Sequence, residues 1–320
     1  MRSPPRYTVI VPVFNEDEVV GECHRRLKAV MDTADGPYEL VFVDDGSVDA
    51  TPSILRMLSE RDPNVRVITF SRNFGHQIAI TAGMHFARGD AIVVIDADLQ
   101  DPPEVIPHMI AKWRDGFHVV YGKRTSRQGE TVFKKLSARL FYRVLRRLTN
   151  VAIPVDVGDF RLVDRAVCDA MNTVGERNRF VRGLISWLGF SQTEVPYRRD
   201  RRFAGQTKYP LRKMVHFMLD AVTSFSYVPL KIATVLGSLV SAAGFVYLFV
   251  VLYQRLFTDR TVPGWTSIVS LTLVFNGMIL LILGIIGEYI GRIYDESKNR
   301  PLYVVRDILG YAPDERPEQR

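Results

Sequence analysis

Short apolar runs alternate with amphipathic stretches through the first hundred residues. Residues 7–11, 39–43, 65–70 and 91–95 are dense in β-branched and aromatic side chains and short enough to be strands. Between them, residues 16–33, 52–61 and 77–87 carry helical spacing. Strands alternating with helices of this length predict βαβ units and a parallel sheet. Three of the runs end in polar residues: Pro12-Val13-Phe14-Asn15-Glu16, Asp44-Asp45-Gly46-Ser47 and Asp96-Ala97-Asp98-Leu99-Gln100-Asp101. Open α/β sheets bind ligands at the carboxyl ends of their strands, so the three endings predict one crevice. Neither a GxGxxG nor a P-loop pattern follows any of these strands, so the phosphate grip falls to metal and basic side chains.

The pattern changes in the last third. Residues 232–254 and 266–287 contain no charged side chain. Each run is long enough to cross a hydrocarbon layer of about 30 Å at about 1.5 Å per residue. Arg212, Lys213 and Lys231 precede the first run, and Arg292, Lys298 and Arg300 follow the second. That asymmetry predicts both termini in the cytosol and a short outer loop over 255–265, in an inner or plasma membrane. Tyr253, Trp265 and Tyr289 lie near the span ends. Small residues at Gly237, Ser241 and Gly244, and at Gly284, Gly287 and Gly291, allow close helix approach within the hairpin or between subunits. Residues 131–148 and 211–227 are amphipathic and basic, the pattern of helices lying on a membrane surface. The expected organisation is a catalytic domain over 1–210, an interfacial helix over 211–230, two spans within 231–291 and a cytosolic tail over 292–320.

Charge sharpens this picture. Lys and Arg number 42 against 35 Asp and Glu in 320 residues, a formal balance of +7. Such a balance favours anionic partners: nucleotide-sugars, lipid headgroups or nucleic acid. The cations cluster beside the membrane elements and no RNA or DNA module is recognisable, so nucleic acid is not expected. Cys23 and Cys168 form no metal or redox motif and suit a reducing compartment. Residues 1–6 are polar and proline-containing, unlike a signal peptide.

Asp96 and Asp98, one residue apart at the end of an apolar strand, can share a hard divalent cation. Mg²⁺ and Mn²⁺ take oxygen ligands, commonly one or two carboxylates together with substrate phosphates. The run 45–49 reads equally as a turn followed by a helix cap.

Several segments together resemble the glycosyltransferase-family-two pattern of polyprenyl-phosphate glycosyltransferases. They are Pro12 to Glu16, Val43 to Ser47, Arg72-Asn73-Phe74-Gly75-His76-Gln77, Asp96 to Glu104, Gly122-Lys123-Arg124, Gly158-Asp159-Phe160-Arg161-Leu162, Thr207 to Pro210 and Ile286 to Tyr294. The resemblance spans nearly the whole chain. Its two-span form is closer to the bacterial bactoprenol glucosyltransferases than to the dolichol-phosphate mannose synthases. It implies a GT-A, Rossmann-like α/β catalytic domain with interfacial amphipathic helices and a C-terminal two-helix transmembrane hairpin. It implies Mg²⁺ or Mn²⁺ held by Asp96, Asp98 and Gln100, and a donor site of Pro12, Phe14, Glu16, Asp44, Asp45 and Asp96 under a basic loop of Arg198, Arg199, Arg201 and Arg202 that closes over the donor phosphates. Arg124 is implied to grip the acceptor phosphate, and Asp159 matches the family's proposed catalytic base; Lys135 and Arg139, on the basic stretch that follows Arg124, are placed equally to assist it or to face lipid headgroups. A phosphomonoester has a second pKa of about 6, so the acceptor needs positioning more than deprotonation. The implied reaction is inverting transfer from a nucleotide-sugar to undecaprenyl or another polyprenyl phosphate, by a homo-oligomer, tetrameric by resemblance. UDP-glucose is the expected donor; UDP-galactose, UDP-N-acetylglucosamine, an aminoarabinose donor and GDP-mannose are alternatives. A processive polysaccharide synthase would need a Gln-x-x-Arg-Trp segment and more spans, and a non-catalytic nucleotide sensor or scaffold would have no use for the paired aspartates.

Overall fold

The computed structural model describes residues 4–125, 157–177, 179–199, 228–257 and 264–312. Two compact units emerge.

The first unit is built on the predicted alternation. Strands β1 (Tyr7–Val13), β2 (Tyr38–Asp44), β3 (Val65–Phe70) and β4 (Ala91–Val94) alternate with helices α1 (Val20–Met31), α2 (Thr51–Arg61) and α3 (His76–Phe86). Every residue of these four strands is buried. That explains their continuous apolar run: a parallel sheet covered on both faces has no polar side to alternate with. Val9, Val11 and Val13 join a core with Val20, Cys23 and Leu27 of α1. Ile10 points the other way, toward α3, where a β-carbon on Gly83 would run into it. Close packing of α3 on β1 therefore requires glycine at that position.

Helix α4 (Ile106–Arg114) leads into β5 (Val119–Arg124), and β6 (Val157–Asp164) follows. Then come α5 (Arg165–Thr173), α6 (Val181–Trp187) and β7 (Gln192–Tyr197). Asp164 caps α5 by accepting from the Ala166 N–H, the role expected of an aspartate there. The sheet order is β7-β5-β6-β4-β1-β2-β3-β8. Strand β6 is antiparallel to β4 and β5, whereas β7 is parallel to β5. This is the mixed sheet of the GT-A fold that the resemblance implied.

Part of the segment 292–320, expected as a tail, joins the sheet. Residues Val305–Leu309 form β8, which pairs antiparallel with β3 and closes that edge. Tyr303 stacks on Phe70 at 5.1 Å between centroids and Tyr311 packs edge-on against Phe86. Aromatic contact area and strand pairing outweigh the polar composition of the segment. Both cysteines are buried and free, and burial pushes each thiol pKa up to about 12, so neither is a ready nucleophile or ligand.

The second unit holds helices α7 (Val228–Phe257) and α8 (Trp265–Ser297). Both are long and apolar enough to cross a membrane, and their side chains are largely exposed. Each outruns its charge-free core; α8 continues ten residues past Gly287, with Arg292 paired to Glu288 at 3.2 Å. The expected surface helices over 131–148 and 211–227 lie outside the described residues.

Candidate active site

Sheet topology gathers the site. The chain leaves β1 toward β2 and β3, then returns to β4 on the other side of β1, which makes a switch point at the carboxyl ends of β1 and β4. Because β6 runs antiparallel to β4 with Arg161 opposite Val94, Asp159 lies just beyond the end of β4. Strands β5 and β7 point the same way as β4 and end in register, Arg124 opposite Tyr197.

Two turns are stitched together at the ends of β1 and β2. Asn15, in the left-handed region at φ 53°, donates its N–H to Ser47 Oγ at 2.9 Å and accepts from the Val48 N–H at 3.0 Å. The Glu16 N–H donates to Thr51 Oγ1 at 2.9 Å. Gly46 has φ +73°, and a β-carbon there would meet the Arg72 backbone at 2.5 Å, so this turn needs glycine. Pro12 is buried, and Phe14 is 38% exposed. Asp44 accepts the Ser47 N–H at 2.9 Å, while its Oδ2 is buried without a hydrogen-bond partner. Asp45 is occupied: it accepts the N–H groups of Phe74 and Gly75 at 2.6 and 2.9 Å. Burial raises its pKa despite those two bonds. The acidic pair thus divides, with Asp45 holding the 72–76 loop and Asp44 retaining a free oxygen.

That loop carries His76 into a charged cluster. His76 Nε2 lies 3.3 Å from Asp159 and 3.5 Å from Asp96. Arg182, from α6, grips Asp159 with a fork: Nε to Oδ1 at 2.8 Å and Nη2 to Oδ2 at 3.1 Å. Gln77 bridges the same elements, donating to Asp159 at 3.3 Å and accepting the Val181 N–H at 3.0 Å. Arg161 stands 3.9 Å from Asp159. Burial works against the Asp159 charge, yet Arg182 and His76 hold its carboxyl well below the usual carboxylate range. A carboxylate so held is a poor proton acceptor near neutrality.

The histidine itself makes a testable point. Partial burial disfavours its charge, but Asp159 and Asp96 outweigh that and raise its pKa to about 9. In the metal-free protein His76 is therefore expected to be an imidazolium at neutral pH. Its contribution to stability is complete below its ordinary pKa of about 6.5 and lost as pH rises through about 9. Histidine-ring NMR on the full-length protein should follow this titration, and His76→Gln should flatten the loss of stability across that window. A His76 midpoint at the ordinary value would refute the assignment.

Asp96 and Asp98 sit where the strand-end pattern predicts. Asp98 is buried and accepts the Gln100 N–H at 3.1 Å. Asp96 Oδ1, the oxygen that faces His76 at 3.5 Å, is buried with no hydrogen-bond partner, and burial outweighs that histidine to push the Asp96 pKa up to about 6. Among the described residues no group of three or more His, Cys, Asp and Glu side chains is arranged to hold a metal by itself. Two carboxylates, one with an unsatisfied oxygen, fit a hard cation whose other ligands come from an amide, water and substrate oxygens.

Arg124 lies 3.7 Å from Asp101 and donates to the Tyr197 hydroxyl at 3.2 Å. Lys135, Arg139, Arg201 and Arg202 lie outside the described residues. His76, Gln77 and Arg182 received no role from the sequence. The first two lay in a motif that signalled them; Arg182 lay in an aromatic-basic segment with no metal, phosphate or acid signature.

Residues 8–171 match Glycosyl transferase family 2, and residues 228–293 match the GtrB C-terminal hairpin. The uncharacterized glycosyltransferase YkcC of Bacillus subtilis (strain 168) is 59% identical over 305 residues, covering 95% of this chain and 94% of that protein. The prophage bactoprenol glucosyl transferase homolog of Escherichia coli (strain K12) is 39% identical, covering 95% and 99%. The bactoprenol glucosyl transferase of Shigella phage SfV is 39% identical, covering 94% and 98%.

Proposed function

The chain belongs to glycosyl transferase family 2, and from that premise we propose that it moves glucose from UDP-glucose to undecaprenyl phosphate, with inversion, at the cytosolic membrane face. The observation that carries this reading is the near-full-length likeness to bactoprenol glucosyl transferases, which takes in the catalytic unit and the hairpin together.

The site's chemistry supports it. Asp44 Oδ2 is the unpaired acceptor for a uracil N–H or ribose hydroxyl, with Pro12, Phe14 and Glu16 beside it. Asp96, Asp98 and Gln100 would hold Mg²⁺ or Mn²⁺, which when bound neutralises charge on the departing diphosphate. Arg124 offers a planar fork to the lipid phosphate, with Lys135 and Arg139 near it in sequence and Arg201 and Arg202 available to the donor phosphates. A phosphate oxygen attacks the anomeric carbon; the bond from that carbon to UDP breaks, and UDP leaves with the electron pair. The attacking group is a dianion above about pH 6, so no side chain need remove a proton. Asp159, locked by Arg182 and Gln77, is a positioning group for the sugar and for His76. The test is a donor screen with the full-length protein, undecaprenyl phosphate and Mg²⁺ or Mn²⁺, reading the glycolipid and its anomeric configuration. Transfer from another nucleotide-sugar but not UDP-glucose would move the donor assignment; retention would reject the displacement.

The proposed topology places both termini and the catalytic unit in the cytosol, with 255–265 outside. Thr261→Cys should react with an impermeant maleimide from the outer side, and Glu315→Cys should not. The reverse labelling would invert the topology.

A further inference from the structure

Asp101 closes the 96–101 run that carries the paired aspartates. It is fully buried, and three elements converge on it. Arg124, ending β5, approaches to 3.7 Å, and Arg199, just after β7, to 3.6 Å. Tyr197 donates its hydroxyl proton to Asp101 in a short hydrogen bond and accepts from Arg124 Nε at 3.2 Å. The start of β6 makes room: a β-carbon on Gly158 would come within 2.5 Å of Arg124 Nη2. The run itself is held in one shape, since buried Leu99 sits in the left-handed region at φ 56°.

Charge and distance indicate what this cluster is for. Among the described residues two guanidinium groups face this one carboxylate, an excess of positive charge. A staple would take up the donors in charge-assisted bonds of about 2.7–2.9 Å. Both contacts here are longer, and neither Arg199 Nε nor Asp101 Oδ2 has a hydrogen-bond partner. The acid is sealed in while the arginines remain 22% and 33% exposed. The carboxylate therefore lies beside both cations without taking a hydrogen bond from either, although Arg199 Nε is itself buried and Arg124 Nε is used by Tyr197.

We infer that Asp101 is a positioning residue that sets Arg124 and Arg199 side by side as a clamp for one phosphate group, either that of the lipid acceptor or the diphosphate of the donor. The inference rests on the proposed glycosyl transfer for its ligand. Asp101 adjoins Gln100, so the clamp also ties the phosphate-gripping arginines to the metal-binding run.

The test uses full-length protein in lipid. One arm measures initial rate against undecaprenyl phosphate at saturating UDP-glucose; the other measures UDP affinity by calorimetry. Asp101→Asn keeps the shape and removes the charge. It is expected to lose tenfold or more in one arm, through KM or Kd rather than kcat, with little change in melting temperature. A loss confined to the lipid arm assigns the clamp to the acceptor, and a loss confined to the UDP arm assigns it to the donor. Parental values in both arms, or a kcat loss tracking a lowered melting temperature, overturn the inference. Should Asp101→Asn not fold, Tyr197→Phe decides: a several-fold loss in one arm supports the clamp, and parental values in both overturn it. Absence of glycolipid from the parent protein would instead indict the functional reading, and the UDP arm would still report on the clamp.

Discussion

Asp98→Asn is expected to reduce sugar transfer by a hundredfold or more while leaving the catalytic unit folded. The substitution preserves shape, and the Asn amide oxygen can still accept the Gln100 N–H that Asp98 takes at 3.1 Å. What it removes is one of two anionic ligands. Charge stabilisation by a metal contributes several kcal/mol, and each ~1.4 kcal/mol is a factor of ten in rate. Asp96→Asn should be equally inactive but should differ in stability. Burial raises the Asp96 pKa to about 6, so the folded metal-free protein binds this proton more tightly than the unfolded chain does. The ionised group therefore costs stability above about pH 6, and that cost fades as pH falls toward the ordinary carboxylate value of about 3.9. In EDTA, Asp96→Asn should melt higher than the parent at mildly alkaline pH and about the same in mild acid. A lower melting temperature on the alkaline side would contradict the unsatisfied-carboxylate reading, and full parental turnover in EDTA would remove the metal from the mechanism.

Arg182→Ala is expected to destabilise the catalytic unit by about 3–5 kcal/mol, because it strands a buried carboxylate. Asp159 would lose both bonds of the fork and keep only His76, Gln77 and the more distant Arg161. Arg182→Lys should recover part of the loss, since a point charge replaces a fork. Combining Arg182→Ala with Asp159→Asn should recover more, because the stranded carboxylate is gone, while buried Arg161 keeps the Gly158 and Asp159 backbone carbonyls as acceptors. Urea unfolding of the four proteins gives the comparison; a loss under about 1 kcal/mol for Arg182→Ala would mean the pair adds little. The same pairing constrains the pH profile. With its pKa held well below the ordinary value, Asp159 adds stability above that value, and the gain is lost only as pH falls through the lower folded pKa. Asp159 should then contribute no limb to the rate profile near neutrality, leaving an acid limb near the second phosphate pKa of about 6.

How much of this was legible differs from element to element. Strands β1 to β4 were visible because burial on both faces leaves an unbroken apolar run, and their helices because one face repeats at helical spacing. Strands β5 and β6 were not, although the end of β5, Gly122 to Arg124, and the body of β6, Gly158 to Leu162, stood out as motifs. Both mix charged residues such as Lys123, Arg124, Asp159 and Arg161 into the strand, which masks periodicity. Strand β8 was hidden for the same reason: Arg306 and Asp307 make five residues read as polar tail until they pair with β3.

The sequence by itself determined the alternation of the catalytic unit, the paired aspartates at a strand end, the two apolar spans and the family. All are properties of contiguous residues, set by side-chain period, strand-end placement or span length. Tertiary structure alone decided which charges meet. Asp159 joins Gln77 across 82 positions and Arg182 across 23, and Tyr197 reaches Asp101 across 96. Those meetings follow from the antiparallel insertion of β6 beside β4 and the parallel return of β7 along β5. Sheet register is a long-range choice, settled by how whole elements bury their faces together. No local pattern around Asp159 could say that its partner would be an arginine on α6.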